Sequence, residues 1–279
     1  MTKANIRIIT PNDGDDATLT ASPSMVATLP QTNLQDISRA KVARTTSLAS
    51  QDIKGAWTSA RVISAAAIMR HNLTSSGTWR LRLYSDAAWS TLVYDSGAVV
   101  ACPPKLLGEL VWGVDPLGAS IFTGWALAFS SMFFTAVGAQ SFTITLSDAA
   151  NPAGYMEVSR LFIGGTLEPV INFEWGHDIE WRETTQQERT EGGTLRSDDR
   201  EPFRRIAFTL AALNEGERAK YLEFTRKAGL RKDFFVSMFP GVGGAKERDY
   251  AMAAKLTQAS PLKGDFVGNY VAEYVMEEA

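Results

Sequence analysis

The feature that most constrains this chain is strict alternation in short segments bounded by Gly, Pro, Ser and Asp. Over Thr78–Tyr84, residues Trp79, Leu81 and Leu83 fall on one side of a two-residue repeat. Thr78, Arg80, Arg82 and Tyr84 fall on the other. Such a repeat places the first set in a core and the second toward solvent, as in a half-buried strand. Further strands are expected at 62–69, 91–94, 142–146 and 155–163, the last ending at the Gly164, Gly165 turn. Many short strands between turns point to a β-sandwich or jelly roll over 30–170. Residues 1–29 read as an N-terminal arm or first strand, with a turn at 11–14.

Charge separates this part from the rest. Up to Gly165 there are 12 basic and 11 acidic residues; from Thr166 onward there are 16 and 20 in a shorter stretch. The shift argues for a domain boundary. Residues 171–202 read as a connector or hairpin with Gly192 and Gly193 at its turn. Residues 203–279 read as a smaller α+β domain. Its first strand, 204–210, alternates. Asn214 and Glu217 have capping-box spacing before a helix to about Ala228, which Gly229 closes. Tyr221, Leu222, Phe224, Thr225 and Ala228 form its apolar face. Strands at 234–239, 249–256 and 269–276 follow, and Gly241 to Gly244 reads as a hairpin turn.

Composition restricts the chemistry. A net charge of −3 argues against a strongly basic nucleic-acid binder. One cysteine, Cys102, excludes an intrachain disulfide framework and a Cys-based zinc site. His71 and His177 are the only histidines, too few and too far apart for a zinc-hydrolase motif. His71 is expected to end a strand and hydrogen-bond a turn. Acidic pairs, Glu109 with Asp115 and Asp198 with Asp199, offer only a weak acid–base reading, because sequence does not fix their separation. No catalytic residue, cofactor or metal is expected, and the chain is read as a non-enzyme. The N-terminus lacks the pattern of a secretory signal. The uncharged stretch 116–147, richest in Phe, Trp and Ala over 121–139, is better read as core strands or an apolar subunit interface than as a membrane span.

Two stretches carry a resemblance. Arg70, His71, Asn72 and Leu73, the strand Thr78–Tyr84 and the segment from Asp148 through Asn151, Pro152, Gly154, Tyr155, Glu157, Arg160 and Leu161 to Gly164 resemble galactose-binding-like (discoidin-type) jelly rolls of phage tail-tip proteins. The region 204–213, the helix at 215–228, the run from Phe234 to Pro240 and a Glu-rich closing strand look like minor or distal tail proteins of long-tailed bacteriophages. In that family the ring domain commonly comes first; here the sandwich does. The resemblance implies a structural subunit of a tail tip or baseplate. It would be made in the bacterial host cytoplasm and located in the virion, forming a homo-oligomeric ring that joins tail tube to hub or fibres. DNA would pass through its lumen without specific binding. Interface candidates are then Ile121, Phe122, Trp125, Phe129, Phe133, Phe134, Arg204, Arg205 and Tyr221. The alternative is a carbohydrate-binding adhesin that recognises a host-surface glycan, with Trp57, Trp89 and Trp112 as candidate platforms, since aromatic rings stack on the C–H faces of sugars.

Overall fold

The computed structural model of the chain describes residues 4–125, 128–198 and 200–279. The chain is mainly β and divides into two compact units. One comprises Met1–Glu168 with Asp233–Ala253; the other comprises Pro169–Lys232 with Ala254–Ala279. This division differs from the sequence-based one. The segment around 234–251, placed above with the C-terminal domain, clusters with the sandwich, and so do the described residues of the N-terminal arm. The reason is pairing: Arg7–Ile9 is hydrogen-bonded to both Thr166–Leu167 and Phe234–Ser237, and Thr18–Ser22 pairs with the long strand Gln51–His71.

In the first unit, a seven-stranded antiparallel sheet is built around two long strands, Gln51–His71 and Ala128–Ser147. The path runs Arg160–Gly164, Gln51–His71, Ala128–Ser147, Thr78–Tyr84, Leu92–Asp95. Register shifts at 56/61, 63/65 and 69/71 break the long pair into bent halves, the usual effect of β-bulges. Trp79, Leu81 and Leu83 are fully buried, as their alternation predicts. Residues 63–69, by contrast, are buried without interruption. Ile63, Ala66 and Ile68 enter one core with Trp79, Leu81 and Ile144. Ala65, Ala67 and Met69 enter a second core with Phe129, Phe162 and Phe235. A strand covered on both faces needs no polar side, and small alanines let the layers approach. At Gly55, facing Phe142 across the ladder, a Cβ would collide with the aromatic ring.

The apolar stretch 121–139 resolves the same way. Ile121, Phe122 and Phe129 are buried in the second core, which corrects their assignment to a subunit interface. Phe134 is half-buried and stacks on Tyr94 at 4.0 Å between centroids. Phe133 is half-buried with the Arg7 guanidinium over its ring. Among the described residues no helix is long and apolar enough to cross a membrane. Residues 1–3 of the expected arm and 126–127 of the apolar stretch lie outside the described residues.

The expected strand 155–163 is two short ones, Glu157–Val158 and Arg160–Gly164. Between their side chains and the N-terminal loop lies a buried ion cluster. Arg160 donates from Nε and Nη2 to both Asp233 carboxylate oxygens at 2.8 Å, and from Nη1 and Nη2 to Asp15 at 2.5 and 2.9 Å. Downstream, the glycine run leads into a short helix, Gly244–Asp249, rather than a hairpin; the following strand therefore starts at Ala251, not 249. Glu247 accepts from the Gly241 and Gly243 amides and so closes that turn.

In the second unit, Phe203–Leu213 pairs with Asp178–Arg182 on one side and Asn269–Glu278 on the other. Leu262–Phe266, a strand absent from the sequence reading, pairs with Asn269–Glu278. The connector also contributes an exposed hairpin, Gln187–Arg189 with Leu195–Ser197. The helix Glu215–Ala228 starts as expected. The Asn214 side chain accepts from the Glu217 amide, and the Glu217 carboxylate accepts from the Asn214 amide, each at 3.0 Å. Tyr221, Phe224 and Ala228 are buried, whereas Leu222, assigned above to the same face, is exposed. Tyr274 meets Tyr221, Phe224 and Phe208. Tyr221 is therefore core, not interface. Arg204 is likewise buried, paired with Glu278 at 2.7 Å, while half-buried Arg205 bridges to Glu180.

Candidate functional site

The site residues expected from sequence do not converge. Trp57 is 3% exposed, donates its indole N–H to the Asp13 carbonyl and packs on Phe142. It is a core residue and no sugar platform. Trp89 is half-buried, with its indole tied to the Phe142 carbonyl at 3.0 Å. Trp112 is 78% exposed. Glu109 accepts from the Ala245 amide and Asp115 is paired with Lys105 at 2.8 Å, so each acid has a local structural partner. Asp199 lies outside the described residues.

A pocket does form in the first unit, around the end of the strand Gln51–His71. Its volume is about 360 Å³, within the small-molecule range. His71, Cys102 and Phe122 are its buried floor; Arg70, Asn72, Trp125 and Glu157 are half-buried walls; Ser75 and Thr123 stand at the rim. Its frame comes from the motif residues. Asp148 accepts from the Thr74 amide at 2.7 Å, from the Thr74 hydroxyl at 3.0 Å and from Asn151 at 3.2 Å. Asn151 also donates to the Asn72 carbonyl. The Asn72 side chain donates to the Tyr155 carbonyl and accepts from the Glu157 amide. The segment that carries the sequence resemblance thus locks the loop 72–76 in place. Glu157 itself is paired with Arg44 at 2.7 Å.

The strand bulges at its end, and Arg70 sits at φ 52°, a left-handed conformation that non-glycine residues seldom adopt. His71 follows. It is 5% exposed, and neither ring nitrogen has a hydrogen-bond partner, which corrects the expectation that it binds a turn. Burial holds its pKa down at about 4; the Phe129 backbone and the Asp148 charge pull the other way, the former outside hydrogen-bond geometry. The imidazole is therefore neutral at pH 7. Burial pushes the Cys102 thiol up to about 11, and it donates to the Leu73 carbonyl, so a thiolate nucleophile is not available there. Trp125, assigned above to an interface, is a pocket wall with the Arg248 guanidinium 4.3 Å from its ring centroid. Among the described residues no group of three His, Cys, Asp or Glu is placed to hold a metal ion.

Sequence reasoning missed this pocket because its lining comes from 70–75, 102, 120–125, 128 and 157, with no common spacing. The available signal was a histidine closing an apolar strand.

No protein-family model matches the chain, and no curated protein does either. Solved structures do. Chitosan-binding module 1 of a chitosanase/glucanase from Paenibacillus sp. IK-5 is 14% identical, over 54% of this chain and 96% of its own, with a TM-score of 0.36. The family 32 CBM of Clostridium perfringens NanJ, in complex with galactose, is 14% identical over 58% and 99%, with a TM-score of 0.37. A Streptococcus pneumoniae fucose binding module is 12% identical over 53% and 89%, with a TM-score of 0.35. The mainly β class rests on the strand pairing above, and no ligand follows from likenesses of this degree.

Proposed function

We propose that the chain is a carbohydrate-binding protein that works without turnover and holds a host-surface sugar in the pocket beside His71. The observation that carries this reading is the lining. An aromatic wall, Trp125, stands with an amide and several hydroxyl groups around a volume suited to a small ligand. Sugars present C–H faces to aromatic rings and hydroxyl groups to such polar side chains. The one wall carboxylate, Glu157, is charge-paired. Glycan-array binding by the full chain, lost on Ser75→Trp at the pocket rim, is the expected result. An array without hits removes the reading.

A second reading, a homo-oligomeric subunit of a phage tail tip that contacts tail tube and hub proteins in the virion, is favoured by one surface. Leu106, Leu107, Val111, Trp112, Val114 and Leu117 are all more than half exposed, with Leu117 at 83%. The loop is pinned rather than loose: Lys105 pairs with Asp115, which also accepts from the Val111 amide. Large apolar side chains exposed together along one short loop are the kind of surface that association covers. Native mass spectrometry should give an oligomer that Trp112→Glu dissociates; a monomer at all concentrations sinks this reading.

A further inference from the structure

We propose that Arg248 is a positioning residue for the pocket: it fixes the Trp125 indole as a platform for uncharged sugar rings and sets that platform against aminated, cationic ones. This role rests on the carbohydrate reading and deepens it by naming the ligand class. The Arg248 guanidinium lies over the Trp125 ring, 4.3 Å from its centroid. It is held there from two directions. Nη1 donates to the Ile121 carbonyl at 2.5 Å, while Nε and Nη2 hold the Asp249 carboxylate at 2.8 and 2.7 Å. The side chain is 15% exposed, and a cation shielded from water binds an indole face more strongly than an exposed one. A planar guanidinium stacks on a ring and hydrogen-bonds in its own plane at once, which an ammonium does not. The turn that carries Trp125 is also closed by its backbone, with Thr123 donating to Ser120 and Trp125 to Phe122. Arg248 does not line the pocket; it lines the neighbouring cavity, with Ile121 and Phe122. The cation therefore backs the platform from outside the pocket, and a ligand meets the indole from within it.

That placement selects by charge. A ring that already holds one cation attracts a second one less, because both draw on the same quadrupole and repel each other. The C–H face of a neutral pyranose brings no charge and keeps its stacking. The carboxylates around the pocket are engaged and do not offset the effect. Glu157 is paired with Arg44, Asp249 with Arg248 itself, and Asp148 accepts from Thr74 and Asn151. Arg70 adds another guanidinium to the wall.

The test uses the full chain and calorimetry at pH 6, where free amino sugars are protonated. The probes are methyl galactoside, N-acetylgalactosamine and galactosamine, with their three glucose counterparts. In at least one series the uncharged sugars should bind, and the amino sugar should bind about fivefold more weakly. Arg248→Met should weaken the uncharged sugars about fivefold and close most of that gap. Arg248→Lys keeps the cation without the planar stack, so it should weaken binding yet preserve the gap. In the unmodified protein, the Trp125 indole N–H resonance should move on addition of the bound sugar, so the result does not depend on a variant folding. An amino sugar held by the unmodified protein as tightly as its uncharged counterpart overturns the role of Arg248 while the carbohydrate reading survives. An unmoved Trp125 resonance, or unchanged affinities in Arg248→Met, does the same. An array hit outside both series takes their place in the same comparison. No binding by any of the six probes, together with an array without hits, overturns both.

Discussion

Arg160 holds the first unit together through a contact whose loss can be sized. Its guanidinium is 6% exposed and grips two carboxylates, Asp233 at 4% and Asp15 at 36%. Replacing it with Met keeps much of the side-chain volume and removes the charge. Asp15 can then rehydrate at small cost. Asp233 cannot, because it stays buried without its bidentate partner. Breaking a buried pair from one side costs about 3–5 kcal/mol. For a unit of this size that lowers the melting temperature by on the order of 10 °C. The double substitution Arg160→Met with Asp233→Asn removes the stranded charge and should recover at least half of the loss. Urea unfolding of wild type, both single variants and the double variant gives the coupling directly. A loss below about 1 kcal/mol for Arg160→Met, or no recovery in the double variant, refutes the reasoning.

Three other outcomes follow from named contacts. Asn214→Ala removes one half of the capping box and should destabilise the second unit by about 1 kcal/mol in denaturant unfolding. Gly55→Ala drives a methyl group into the Phe142 ring and should cost about 1–3 kcal/mol, seen as a lower melting temperature. His71 has a folded pKa of about 4 against an ordinary 6.5, so the unfolded chain binds the extra proton first. Its contribution to stability is therefore intact above pH 6.5 and falls away as pH drops toward 4, by roughly 3 kcal/mol in all. His71→Phe should flatten that part of the pH–stability profile.

The elements legible in the sequence were those whose signal is local. Thr78–Tyr84 could be read because one face is core and the other is not. The helix Glu215–Ala228 could be read because Asn214 and Glu217 satisfy each other three residues apart. Elements decided by distant partners were not legible. The strand Gln51–His71 is covered on both faces over 63–69, so its alternation disappears. The same double cover explains why 121–139 reads as surplus apolar surface: Ile121, Phe122 and Phe129 fill a core whose other side is made by Phe235, Ala251 and Ala253, more than a hundred residues away. That long-range closure also moved 234–251 out of the domain to which its charge density assigned it.

The motif and the site stand in an instructive relation. Asp148, Asn151 and Arg160, the residues that made the late segment look familiar, bind backbone, one another and other side chains. They hold the frame, which is why a spacing pattern can detect them: a frame recurs wherever the loops must be tied at the same points. His71 sits inside that frame, with its ring nitrogens shielded from solvent. A frame residue can be recognised by what it always binds. A pocket wall assembled from 102, 120–125, 128 and 157 has no such local signature, because its members share no spacing and meet only when the chain has closed around the end of the strand Gln51–His71.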